Sequence, residues 1–66
     1  MPERFLRLRE VQLRVPSSRS SIYLMISRGE FPRQISLGGR AVAWIESEIQ
    51  EWIASRIQKR DKEDSV

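Results

Sequence analysis

The chain is 66 residues long, with twelve basic side chains against nine acidic ones and a formal net charge of +3. That length makes one small domain with a modest core. Cysteine and histidine are both absent, which excludes disulfides and thiolate metal sites and removes the commonest general base and zinc ligand.

The charge is unevenly distributed. Residues 4–40 carry eight arginines against Glu10 and Glu30, a net +6, whereas Glu3 with residues 41–57 contributes −3 and the last nine residues are neutral overall. Ten of the twelve basic residues are arginine, whose planar fork suits phosphate oxygens and guanine edges. A basic surface of this kind points to an anionic polymer as partner. No uncharged run approaches the roughly 20 residues a spanning helix needs, and no signal peptide is visible. The expectation is a cytoplasmic, nucleoid-associated protein with no membrane contact.

In chain order, Met1 to Glu3 are expected to fray, and Phe5 and Leu6 to form a brief extended segment that meets the sheet further on. Residues 9–15 read as a short helix, with Leu8, Val11 and Val15 on one side. Pro16 cannot extend that helix and pushes Val15 out of helical geometry. The turn Pro16-Ser17 is therefore tight, and two helices joined so closely cross steeply, as in a helix-turn-helix.

Ser18 is a natural N-cap for a second helix over residues 19–28, and Gly29 can turn out of it with positive φ. At 100° per residue Ile22, Met25 and Ile26 cluster on one side, and Ser20, Tyr23, Leu24 and Ser27 on the other. Arg19 stands in the first turn, where the helix dipole prefers an acid. A cation there points to an anionic partner at that end.

Phe31 is expected to plug the core below this helix, and Pro32 forces an extended departure. The runs ISL (35–37) and RAVAW (40–44) each alternate apolar and small or polar residues, and Gly38-Gly39 between them suits a type I′ or II′ hairpin turn. Such a hairpin is marginal alone and must lean on the helices. Arg40 makes its tip basic. Finally, Ile45, Ile49, Trp52, Ile53 and Ile57 form a stripe at helical spacing, predicting a helix from about residue 45 to 60. Trp44, Ile49 and Trp52 are assigned to the core. Residues 1–58 form the domain, and 59–66 read as a charged, disordered tail.

Catalytic chemistry finds no support. Ser17, Ser18, Ser20 and Ser21 have no histidine to activate them, and the lysines are confined to the tail. Glu46, Glu48 and Glu51 read as the solvated and capping face of the last helix, and Gly38-Gly39 is too short to cradle a phosphate. The chain is expected to be no enzyme and to need no cofactor or metal.

The order helix, tight turn, helix, basic-tipped hairpin, helix is that of a winged helix-turn-helix: mainly α, with three helices plus a two-stranded wing. The segments SRSSIY (18–23), GEFP (29–32), LGGRAVAW (37–44) and SEIQEWI (47–53) also resemble the AlpA family of phage-derived regulators. That family is similar in fold to excisionases and to MerR-type DNA-binding domains. The resemblance spans residues 6–57 and implies a prophage or genomic-island protein that controls transcription, often of integrase or excision functions. One departure is Leu24, where the family usually carries a polar or basic residue.

In such a domain the second helix enters the major groove, amino end first. Arg19 either forks onto a guanine or clamps a phosphate. Ser20 and Ser21 suit a phosphate or a base edge, Ser21 and Ser18 also serving the cap. Tyr23 either donates to a phosphate or packs against the body. Leu24 meets a thymine methyl or marks a protein contact. Gly39 and Arg40 on the wing reach the flanking backbone or minor groove, and Arg28, with Arg9 and Arg33 behind it, suits a phosphate contact. Double-stranded DNA is the expected partner, with self-association on repeated sites and contact with RNA polymerase or an integrase as additions. The alternatives are an excisionase-type architectural factor that bends DNA, and a protein-interaction module for an acidic partner built around Leu24, Trp52 and Ile57.

Overall fold

Val11, Ile22, Trp44, Ile49 and Leu6 are fully enclosed side chains, one from each of five elements, and they set the arrangement of the chain. The structure is a computed structural model that describes residues 3–64. Its elements are β1 (Phe5–Leu6), α1 (Leu8–Arg14), α2 (Arg19–Ser27), β2 (Ile35–Gly38), β3 (Ala41–Ile45) and α3 (Glu46–Asp64). This is a mainly helical domain with a β wing, the winged helix-turn-helix architecture.

The expected extended segment at Phe5 and Leu6 is present as β1. It pairs antiparallel with β3, Phe5 opposite Ile45 and Leu6 opposite Trp44, which makes a sheet of three strands in the order β1-β3-β2 and not of two. The Glu46 amide continues the ladder by donating to the Arg4 carbonyl at 2.8 Å. Glu3, expected to fray, instead accepts from the Ser47 hydroxyl through both carboxylate oxygens. Met1 and Pro2 lie outside the described residues.

Helix α1 begins and ends one residue earlier than its apolar spacing suggests. The Glu10 carboxylate accepts from the Arg7 amide at 3.0 Å and fixes the start. Val15 is already extended, with φ −128° and ψ 90°, as its neighbour Pro16 requires. The Gln12 side-chain amide donates to the Ser17 carbonyl and braces the turn between the two helices.

Two indoles organise the linker that follows α2. The Trp44 Nε1–H donates to the Pro32 carbonyl at 3.0 Å, and the Trp52 Nε1–H donates to the Glu30 carbonyl at 2.7 Å. Between them Phe31 is buried, as its place in the sequence suggests, with its ring edge-on to Trp52 at 4.8 Å. Each tryptophan thus buries a large apolar surface and satisfies a linker carbonyl at once.

In the wing, Ser36 faces Val42 but Gly38 faces Ala41, so Leu37 is an extra residue, a bulge. The turn accordingly falls on Gly39-Arg40 and not on Gly38-Gly39. Gly39 has φ +56° and no residue other than glycine has positive φ among the described residues, which excludes the type I′ turn.

The last helix departs most from expectation. Ile45 belongs to β3, and α3 runs on to Asp64, so residues 59–64 are helical and not disordered. The stretch from 54 onward contains no Gly or Pro, is rich in helix-forming residues, and places Lys59 and Glu63 at i, i+4. Arg60 and Asp61 form an ion pair at 2.9 Å on its surface. Ser65 and Val66 lie outside the described residues. No helix among the described residues is long and apolar enough to cross a membrane.

Candidate nucleic-acid interface

Helix α2 is held at both ends by local chemistry. The Ser18 hydroxyl accepts from the Ser21 amide at 3.1 Å and donates to the Ser21 hydroxyl at 3.0 Å. At the other end Gly29 adopts φ +71°, its amide bonds the Ile26 carbonyl, and the Glu30 amide bonds the Met25 carbonyl. Those two bonds make a Schellman cap. The helix therefore starts at Arg19 and stops after Ser27, close to the span its sequence suggests.

Its inner side is fixed by Ile22, fully buried, with Met25 and Ile26 packed on the core. Ser20, Leu24 and Ser27 lie opposite and are exposed, Leu24 by 50%. The Ser27 hydroxyl is occupied, donating to the Leu24 carbonyl at 2.7 Å. Ser18 and Ser21 are tied into the cap, so Ser20 carries the first-turn hydroxyl that no other described residue engages.

Tyr23 does not share the fully outward side. It is half-buried against the core, edge-on to Trp44 at 6.2 Å between ring centres. Its angular position, on the flank between the inward and outward faces, explains this. The Arg19 guanidinium lies over the same ring at 5.4 Å. That contact holds the arginine beside the amino end of α2 while its N–H groups bond no other described residue. The first turn of α2 contains no acidic residue, so the partial positive charge of the helix end and the guanidinium add together.

The other candidates are exposed: Arg28 at the C-cap of α2, and Gly39 and Arg40 in the wing turn, with Arg9 and Arg33 elsewhere. Among the described residues the ion pairs are Arg14 with Glu46 and Arg60 with Asp61. Seven of the eight arginines in residues 4–40 thus have no acidic partner there, a large unneutralised charge for a domain of this size.

Leu37 joins this group although its alternation suggests an inward side chain. Seated in the bulge beside Gly39 and Arg40, it is 46% exposed. A bulge re-aims the side chain it carries, and the adjacent glycine pair is the signal in the sequence that the ladder is irregular there. Among the described residues no group of acidic side chains is placed to hold a metal ion.

Comparison with known proteins gives two findings. Residues 4–57 match the family described as Prophage CP4-57 regulatory protein (AlpA). The chain is also 53% identical over 60 residues to an uncharacterized protein, ORF88, of Enterobacteria phage P4, the match covering 91% of this chain and 68% of the relative.

Proposed function

The chain belongs to the AlpA family of prophage regulatory proteins, a family of regulators and not of enzymes, and on that premise we propose that it acts by binding double-stranded DNA. Helix α2 enters the major groove with its amino end leading, and the Gly39-Arg40 turn of the wing lies on the flanking backbone or in the minor groove. The carrying observation is that the arginines of residues 4–40 stand almost entirely without acidic partners among the described residues. Arginines left in that state suit a polyanion, because each phosphate they neutralise releases condensed counterions.

Within this reading Arg19 contacts a guanine edge or phosphate, Ser20 and Ser21 bond the backbone or a base edge, and Leu24 contacts a thymine methyl. Tyr23 positions Arg19 from the flank. Ser18 holds the cap whose amides face the duplex, and Arg28 contacts a phosphate. One module of this kind buries on the order of 600–1,000 Å², so tight regulation requires adjacent sites or a protein partner.

A fluorescence titration of labelled duplex at a series of salt concentrations tests the proposal. Affinity falls linearly with salt on a logarithmic plot, and Arg40→Ala flattens that slope by about one unit. An absence of binding at low salt, or an affinity indifferent to salt, contradicts it.

A further inference from the structure

The outer face of α3, opposite Ile49 and Ile53, has an ordered charge pattern. At 100° per residue Glu48, Glu51, Ser55, Lys59 and Lys62 fall within one narrow arc of the helix, and all five are exposed. The two acids precede Ser55 and the two lysines follow it. Glu51 and Lys59 stand four residues either side of Ser55, and Glu48 and Lys62 seven either side.

That row is its own complement. A second copy laid antiparallel along it, with the two-fold axis at Ser55, brings each Glu51 to the other copy's Lys59 and each Glu48 to its Lys62. A parallel arrangement sets like charges together. We infer that this face is a contact between two copies of the chain, isologous and antiparallel.

Three features of the site agree with that occupant. Ser55 is small, and its hydroxyl is satisfied within its own helix by the Trp52 carbonyl at 2.7 Å, so two helices can approach at the axis without stranding a polar group. Shallow depressions flank it. One is lined by Glu30, Glu48 and Glu51 beside Trp52, and the other by Gln58, Lys59 and Lys62. Asp61 also borders the second, where Arg60 pairs with it. Exposed ion pairs are individually weak and screened by salt. The contact is therefore weak: it is populated in free solution at high protein concentration and low salt, and more strongly where copies are held side by side and effective concentration is high.

Cross-linking at the axis tests this without DNA, independently of the DNA-binding proposal. The chain has no cysteine, so Ser55→Cys gives a single site for a short bis-maleimide reagent. At high protein concentration and low salt, Ser55→Cys yields a cross-linked dimer. Adding either Lys59→Glu with Lys62→Glu, or Glu48→Lys with Glu51→Lys, reduces that yield several-fold. An equimolar mixture of the two reversed variants restores it. No cross-link in the original charge background, equal yields in all samples, or a mixture no better than its components overturns the inference.

Discussion

Under the proposed function, Arg19 is the side chain whose surroundings bear most directly on an anionic partner. Its position in the first turn of α2 is unfavourable for the isolated helix, since the dipole there repels a cation by a few tenths of a kcal/mol to about 1 kcal/mol. The Tyr23 ring beneath it offsets a comparable amount. The guanidinium is thereby fixed in direction but left unneutralised. Replacing it by alanine is expected to leave folding intact and to weaken DNA binding by about 1–3 kcal/mol, read by titration against a panel of duplexes. A loss concentrated at one base position identifies guanine contact, and a uniform loss identifies a phosphate clamp. Unchanged affinity removes Arg19 from the interface. Tyr23 marks a limit of residue-level reading: dividing the helix into two sides groups it with Ser20 and Leu24, whereas its angle puts it on the flank between the faces, from which its ring reaches Trp44.

Helix α2 depends on one inward side chain more than on any other. Ile22 is fully enclosed in the cluster that joins Leu6, Val11, Trp44 and Ile49. Ile22→Ala is expected to cost about 2–5 kcal/mol, which for a domain of this size lowers the melting temperature by roughly 10 °C or more. Leu24→Ala, on the outward side, changes stability by no more than about 0.5 kcal/mol. Calorimetry or thermal circular dichroism compares the two, and equal effects contradict the assigned faces. The cap residues Ser18 and Gly29 made this helix legible in the sequence, because each supplies a specific backbone need. Strand β1 carries only two residues and has no period to read, so the sequence suggests an extended segment at Phe5 and Leu6 but not its register, which the fold sets against Ile45 and Trp44. The bulge at Leu37 is likewise not given by alternation, which in a short strand does not reveal one extra residue; the adjacent glycine pair is its only signal in the sequence.

At the scale of the whole molecule, the order of helices and wing was readable because amphipathic spacing, Pro16 and the glycine pair all agree. The extent of α3 was not, since a charged segment without apolar periodicity reads as disordered whether or not it continues a helix. The candidate interface was legible as a set of residue types, but not its state. Arginine is visible in a sequence, whereas the absence of acidic partners is a property of the fold. The central claim is that α2 and the wing, and not α3, meet the duplex. The most direct measurement is the shift of backbone amide resonances as a short duplex carrying one site is added. The account predicts perturbation at residues 18–24 and 38–40, with residues 48–62 of α3 unmoved. Perturbation confined to α3, with residues 18–24 unchanged, contradicts it.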